Sequence, residues 1–422
     1  MGTVMWFRRD LRLRDNPALA AAAQDGPVTA LFVLDDALLK PAGAPRVAFL
    51  YRSLRELSAD LQAHGGQLVV RHGNPERVVA DLARELAVTA VHISADFAPY
   101  GAARDERVET ALGDVPLVRT GSPYAVAPGR VTKPDGTPYK VYSAFYRAWI
   151  SHGWRAPARS DAAKIDWAPH IKTEPIPSDP KLPAGLALPQ AGEDAAHTAW
   201  ASFRRQRLDG YPDERNRPDL DTTSRLSPYL HYGAIHPRTL LHGLDAQHET
   251  FRKELAWRDF YGAVLHFWPE SAREYFIPSM AKMPYAQGKT ADANLKAWQE
   301  GRTGYPIVDA GMRQLLVEGW VHNRVRMIVA SFLVKDLHLE WTTGARYFMQ
   351  HLVDGDLASN QHGWQWTAGT GTDAAPYYRI FNPILQGKKF DPDGAYIRKF
   401  VPELRELSAK EIHEPWLRPD GP

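Results

Sequence analysis

The sequence predicts two fold classes in series: a doubly wound α/β domain at the N-terminal end and an all-helical domain after it. Three observations predict this. Short apolar runs alternate with helical stretches over residues 1–128, a proline-interrupted linker occupies 129–195, and residues 196–422 carry helical periodicity with few strand candidates.

The strand candidates are Thr3–Phe7, Val28–Leu34, Gln67–Val70 and Ala90–Ser94, each short and mostly apolar, as strands covered on both faces should be. Between them lie Arg46–His64 and Pro75–Leu86, where apolar residues recur at helical spacing. Such alternation builds a parallel sheet. No glycine fingerprint follows the first strand, so no standard dinucleotide site is expected there. Pro157, Pro169, Pro175, Pro177, Pro180, Pro183 and Pro189 interrupt regular structure between Arg155 and Ala191, which makes that stretch a connector rather than a third domain.

A chain of 422 residues suits two cores. The absence of cysteine excludes disulfides, thiolate metal sites and a thiol nucleophile. The 13 tryptophans are a rich indole content, although a large core could absorb them. A net charge of +2 excludes a globally basic nucleic-acid coat, so a nucleic-acid partner would need a local Lys/Arg cluster. Apolar runs are too short to span a bilayer and Met1–Asp10 carries no signal-peptide pattern, so a monomeric cytoplasmic protein without a membrane partner is expected.

Three helical stretches place aromatic and polar residues on shared faces. Glu254, Trp257, Arg258 and Tyr261 follow helical spacing, as do Trp320, Asn323, Arg324 and Met327, and Asn360 with Trp364. Each alone reads equally as an amphipathic helix with a packed ring; together they favour a pocket for a flat ligand with a polar edge. The run Thr222-Thr-Ser-Arg-Leu-Ser227 is dense in hydroxyls before a Pro-Tyr turn, which suits either a phosphate cradle or a plain helix cap. Asp354-Gly-Asp356 lacks the oxygen-rich loop of a metal site, so no metal is expected. No Gly-x-Ser-x-Gly elbow or His-Glu-x-x-His helix is present, which leaves the difficult chemistry to a cofactor.

Four longer stretches carry a resemblance. Trp298-Gln-Glu-Gly-Arg-Thr-Gly-Tyr-Pro-Ile-Val-Asp309, Gly319-Trp-Val-His-Asn-Arg-Val-Arg-Met327, Asp354-Gly-Asp-Leu357, and Gly363-Trp-Gln-Trp366 running on to Gly371-Thr-Asp-Ala-Ala-Pro376 resemble the photolyase/cryptochrome family. The opening Trp6-Phe-Arg-Arg-Asp-Leu-Arg-Leu-Arg-Asp-Asn16 is similar to the same family's start, and the likeness is nearest to class I cyclobutane pyrimidine dimer photolyases. The resemblance implies an antenna domain, a connector and a helical domain holding FAD. Tyr211, Thr223, Ser224, Arg225, Leu226 and Ser227 match the segment holding the flavin phosphates and nearby groups. Trp320, Arg326, Asp354, Gly355 and Asp356 match residues around the ring, with Arg326 and Asp354 expected as an ion pair. Asn360 matches the residue facing flavin N5.

The resemblance also implies a damaged-DNA partner, single- or double-stranded. Glu254, Trp257, Asn323, Met327 and Trp366 match the dimer cavity, Glu254, Met327 and Asn360 being the candidate catalytic residues, with Arg258, Tyr261 and Arg324 near the DNA. Asn at 360, where plant cryptochromes carry Asp, favours repair over signalling. Asn323, where a (6-4) photolyase would place His, favours cyclobutane dimers. Trp364 and Trp341 match two members of a three-tryptophan electron relay, but the third falls at Gly288, and nearby Tyr285 is the expected surface donor. The antenna segments Arg46–Leu50 and Asp96–Gly101 lack the Asn-Glu pair of folate sites and point to 8-hydroxy-deazaflavin, with methenyltetrahydrofolate or no antenna as alternatives.

Overall fold

The computed structural model describes residues 2–376 and 379–419. The chain forms two compact units, each drawing on several segments. The first comprises Met1–Lys181, Pro189–Ser202 and Arg225–Pro269; the second comprises Leu182–Leu188, Phe203–Ser224 and Glu270–Pro422.

The first unit is built on a five-stranded parallel sheet in the order β3-β2-β1-β4-β5, with β1 at Thr3–Phe7, β2 at Val28–Leu34, β3 at Leu68–His72, β4 at Ala90–Ile93 and β5 at Leu117–Arg119. The first two strands match the expected runs. The third extends to His72 because Arg71 and His72 still pair with Val33 and Leu34, which apolar content alone does not show. The three-residue β5 has too little pattern to be seen in the sequence. Helix Pro17–Asp25 starts at Asn16, whose side chain accepts from the Leu19 amide at 3.1 Å. The proline-rich connector shields the edge of β3: the Val70 amide donates to Thr173 Oγ1 at 2.8 Å and the Glu174 amide to the Val70 carbonyl at 3.0 Å.

Helix Glu249–Phe267 is anchored within this unit by Asp259, which is buried and accepts from Val126 N at 2.9 Å, Ala125 N at 3.3 Å and Trp149 Nε1 at 2.9 Å. Burial still pushes its carboxyl up to about 6. Gly262 lets the same helix meet Tyr124, since a Cβ there would lie 2.4 Å from that ring.

The second unit packs helices around Trp298, Met312, Leu333, Trp341 and Phe348, all essentially buried. Here helix Trp341–His351 meets helix Leu357–Ala368 through Gly344. A Cβ on Gly344 would lie 2.2 Å from the Trp364 ring and 2.5 Å from Leu333. Gly344→Ala is therefore expected to destabilise by about 1–3 kcal/mol of overpacking, partly offset by roughly 1 kcal/mol of helix propensity. Urea unfolding measures this, and an unchanged midpoint would contradict the packing described.

Candidate functional site

The second unit holds a candidate ligand site whose segments are fixed by their own polar contacts. Asn216, just after helix Tyr211–Glu214, accepts from Arg324 Nη2 at 2.8 Å and Nε at 3.2 Å. The hydroxyl run is tied to the same helix, Thr222 Oγ1 reaching the Glu214 carbonyl at 3.5 Å and Arg207 bonding the Asp221 carbonyl. Asp221 and Arg225 flank it at φ 48°, a left-handed conformation that costs free energy in non-glycine residues and tends to mark ligand clamps. Between them Thr223 Oγ1 is buried without a hydrogen-bond partner among the described residues.

Arg326, on helix Asn323–Ser331, donates from Nη2 to Asp354 Oδ2 at 2.7 Å and from Nε to the Val321 carbonyl at 2.7 Å. The other Asp354 oxygen, Oδ1, is buried and has no hydrogen-bond partner among the described residues. The Asp354 loop is held by the Val353 amide donating to the Gly319 carbonyl at 2.7 Å, and Gly319 adopts φ 61° to close helix Pro306–Glu318 and turn into Trp320. Asp356 caps helix Leu357–Ala368, accepting from the Ser359 amide at 2.9 Å. The Asp354-Gly-Asp356 pattern thus serves an ion pair and a helix cap.

Helix Leu357–Ala368 presents Asn360, Trp364 and Trp366. Asn360 Nδ2 donates to the Ala345 carbonyl at 3.1 Å and to Gln361 Oε1 at 2.8 Å. Both amide hydrogens are committed, which fixes the orientation of the group and leaves Oδ1 as an acceptor with no hydrogen bond among the described residues. Gln361 Nε2 bonds the Ala272 carbonyl at 2.6 Å, and Gln365 Nε2 bonds the carbonyls of Ser271 at 2.9 Å and Glu274 at 3.2 Å. Gln365 Oε1 accepts from the Phe276 amide at 2.8 Å. His362 donates from Nδ1 to the Ala358 carbonyl at 2.8 Å, so its Nε2 accepts from the Ser271 hydroxyl at 2.9 Å.

Other expected residues fall as follows. Asn323 is exposed at the start of its helix, with Met327 half-buried one turn on; Trp366 is half-buried. Trp320 is a correction: it precedes that helix, which begins after the His322 cap, so it does not share the face of Asn323, Arg324 and Met327. Arg324 is half-buried over the Phe390 ring at 4.6 Å. Its pKa is lowered by burial and then by the charges of Arg215 and Arg379, which marks a local excess of positive charge. Trp364 and Trp341 are buried, and Trp341 touches Tyr275 edge-on at 5.9 Å. Sequence spacing does not single out Tyr275, because it lies in an irregular segment ten residues ahead of Tyr285, the tyrosine nearest the expected relay position.

In the first unit, helix Glu249–Phe267 carries Glu254, Trp257, Arg258 and Tyr261 on neighbouring turns. The Trp257 ring lies flat on Tyr142, 3.6 Å between centroids and 7° between planes, and Tyr261 is 5.3 Å away. Tyr142 was not legible as a site residue, because only the fold brings it to Trp257. Arg258 is a second correction. Its Nη1 donates to the Pro123 carbonyl at 2.7 Å and Nη2 to the Leu230 carbonyl at 3.2 Å, with the guanidinium over Tyr124, so it clamps the fold. Arg225, Leu226 and Ser227 lead into helix Ser227–Tyr232, whose cap position is Leu226.

The crevice outside the C-terminal ends of β1 and β4, where doubly wound sheets bind ligands, is lined by Arg8, Arg9, Ser94, Ala95, Asp96 and Pro123. It is filled from within. Arg8 pairs with Asp105 at 2.8 Å and Arg9 with Asp96 at 3.3 Å, and Arg8 and Arg104 lie over Trp6. Asp96 occupies the space a Cβ on Gly101 would need, and the Tyr100 hydroxyl bonds Asp35. A ring system could enter only by displacing this network.

Among the described residues no helix is long and apolar enough to cross a membrane, and no group of three or more His, Asp or Glu could hold a metal. Residues 3–163 match the family described as DNA photolyase, and residues 251–421 match the FAD binding domain of DNA photolyase. The chain is 40% identical to a deoxyribodipyrimidine photo-lyase of Halobacterium salinarum, covering 97% of this chain and 91% of the relative. A bacterial class III photolyase from Agrobacterium tumefaciens superposes with a TM-score of 0.90 at 38% identity, covering 99% of this chain and 90% of that one. A Synechocystis cryptochrome gives 0.90 at 27% identity, with 99% and 92% covered.

Burial holds the His362 imidazole down to about 4, against its bond to the Ala358 carbonyl. The folded state therefore keeps it neutral where the unfolded chain, near 6.5, would protonate it. Its contribution is fully present above pH 6.5 and is lost as pH falls toward 4. At pH 4.5 the loss should be about 2–3 kcal/mol. His362→Gln should shrink the stability drop between pH 7 and 4.5 by that amount in urea titrations; parallel profiles would show that His362 does not titrate this way.

Proposed function

The chain belongs to the photolyase/cryptochrome family, and from that premise we propose that it is a deoxyribodipyrimidine photo-lyase, repairing cyclobutane pyrimidine dimers in DNA with light and FAD. One observation carries the flavin reading. Within one unit, Thr223 Oγ1 and Asp354 Oδ1 are buried without partners and Asn360 Oδ1 is held open as an acceptor. A buried unpaired polar atom costs about 1–3 kcal/mol, which a bound polar ligand removes. A flavin offers N–H groups along the ring edge and phosphate oxygens on its tail, so the residues fit the cofactor.

Reduced FAD, when bound, supplies the light-released electron that splits the cyclobutane ring and then takes it back. The chain's own residues do the rest. Thr223 and Ser224, with Arg225, Leu226 and Ser227, serve the phosphate segment. Asp354, aligned by Arg326, would accept from the ring edge, with Gly355, Asp356 and Trp320 assigned around it by the resemblance, and Tyr211 would support the cradle. Asn360 would accept a hydrogen bond from the ring at N5 and, its own hydrogens being committed, would deliver no proton.

For the lesion, flipping two bases out of the duplex costs a few kcal/mol, least where stacking is already disturbed. Trp366 and Met327 offer apolar faces suited to an extruded base, and Trp257 and Tyr261 offer the same kind of face within their own unit. Glu254 and Asn323 supply hydrogen bonds to base edges. The positive cluster of Arg215, Arg324 and Arg379 meets backbone phosphates.

The likeness to a cryptochrome sustains a second reading, light signalling without repair. Asn360 favours the enzyme, and Asn323 favours cyclobutane dimers over (6-4) products. For an antenna we propose 8-hydroxy-deazaflavin on the Arg46–Leu50 and Asp96–Gly101 segments, where it would have to displace part of the ion-pair network that fills the crevice. Absorption of the extracted chromophore separates deazaflavin from methenyltetrahydrofolate or from none. A cytoplasmic monomer completes the proposal.

The deciding experiment illuminates the reduced protein with dimer-containing oligonucleotide and follows recovery of thymine absorbance. Recovery under light alone is expected. None at all would favour the cryptochrome, and repair of (6-4) products only would move the substrate. In that assay Glu254→Ala should lower the yield per photon severalfold with flavin absorbance unchanged; an unchanged yield removes Glu254 from the mechanism. Thr223→Val and Asp354→Asn should each weaken FAD retention by about ten- to a hundredfold, the equivalent of about 1.5–3 kcal/mol for a charge-assisted bond. Equilibrium dialysis of FAD checks this, and wild-type retention in both would withdraw the unpaired oxygens as flavin ligands.

A further inference from the structure

We propose that Tyr275, with Glu340 as its proton acceptor, is the terminal electron donor that serves Trp341, in place of Tyr285. The inference rests on the flavin reading above and concerns how the bound cofactor is brought to its reduced state. Electron transfer between side chains falls steeply with separation, and a terminal donor also needs a base to take its proton. Trp364 packs against Gly344, one turn from Trp341, and Trp341 meets Tyr275 edge-on at 5.9 Å. Tyr285 stands behind Tyr275, its hydroxyl 2.9 Å from that of Tyr275.

Three further features favour Tyr275. The Nε1 of Trp341 is buried and has no acceptor among the described residues. An oxidised Trp341 therefore cannot shed its N–H proton to a neighbour and stays a radical cation, the stronger oxidant. Tyr275 offers what that cation needs: its hydroxyl lies 3.1 Å from Glu340 Oε1, and Glu340 immediately precedes Trp341. A phenol becomes strongly acidic on losing an electron, so a carboxylate within hydrogen-bond reach makes the transfer downhill. The segment is also held in position, because Gln365, next to Trp364, bonds the Glu274 carbonyl and the Phe276 amide on either side of Tyr275.

The competing branch from Trp364 is poorer. It leads to Trp298 at 6.1 Å and on to Tyr347 at 5.6 Å from Trp298, but the Tyr347 hydroxyl donates to the Gln299 carbonyl at 2.8 Å, an amide oxygen too weakly basic to take the proton.

The step balances as follows. When an electron has been drawn inward through Trp364 and Trp341, one electron passes from the Tyr275 phenol to the Trp341 radical cation, restoring the indole. The phenolic O–H proton passes to the Glu340 carboxylate, giving a carboxylic acid and a neutral phenoxyl radical. A soluble thiol then reduces that radical with one electron and one proton, and Glu340 returns its proton to solvent.

The test is flash photolysis of the flavin-loaded protein in its oxidised state, with electron paramagnetic resonance on ring-deuterated tyrosine samples. A long-lived tyrosyl radical is expected in the wild type and in Tyr285→Phe and Tyr347→Phe. Tyr275→Phe should abolish it and cut steady-state photoreduction at least tenfold, with flavin absorbance and melting temperature retained. Glu340→Gln should slow tyrosine oxidation severalfold and alter its solvent deuterium isotope effect, which a merely structural role would not do. A tyrosyl radical surviving in Tyr275→Phe, its loss in Tyr347→Phe or Tyr285→Phe, or a terminal radical on tryptophan in the wild type overturns the proposal. Flavin retained without any light-driven radical overturns it while leaving the flavin reading standing; a preparation that holds no flavin overturns both.

Discussion

The buried amides and imidazole of helix Leu357–Ala368 are the constraint on which the second unit depends. Gln361, His362 and Gln365 are buried, and each is satisfied by the backbone or hydroxyl of residues 271–276. Buried polar groups are costly unless fully paired, and when paired they specify a single arrangement. These bonds fix the rotation of the helix, so Asn360, Trp364 and Trp366 each face a set direction. One helix thereby sets an amide oxygen and two indoles in fixed directions, which the proposed function uses as a ring acceptor, a relay and an apolar face.

The same unit leaves other polar atoms unpaired, and the contrast is informative. A chain that satisfies Asp356 with a helix start and Asp354 Oδ2 with Arg326 has the means to pair Asp354 Oδ1 as well. Leaving Oδ1 and Thr223 Oγ1 buried and bare is unfavourable for the empty protein and favourable once a ligand supplies the donors. In the first unit arginine–aspartate pairs over Trp6 close the crevice at the sheet ends, and there too Asp10 Oδ2 and Asp105 Oδ2 are buried without a hydrogen bond among the described residues.

The architecture was largely legible because it is written in short-range pattern. Thr3–Phe7 and Val28–Leu34 are continuous apolar runs, and the Glu254–Tyr261 spacing is helical in the structure. The site was legible mainly through long motifs, which placed Arg326 with Asp354 without any geometry. Contacts between distant segments were not legible. Helical spacing put Arg258 on the same face as Glu254, but nothing local shows that two carbonyls from residues 123 and 230 consume its donors. Tyr142 and Tyr275 were missed likewise, being brought to Trp257 and Trp341 by packing alone. Trp320 was misplaced because the helix start depends on the His322 cap, which accepts the Arg324 amide at 3.2 Å.

The most direct measurement is a crystal structure of the protein carrying the cofactor it retains on purification. The account predicts isoalloxazine density whose N–H edge meets Asp354 Oδ1 and Asn360 Oδ1, with a phosphate-bearing tail at Thr223. Density placing the flavin elsewhere, with those three oxygens satisfied by protein or water alone, would contradict it.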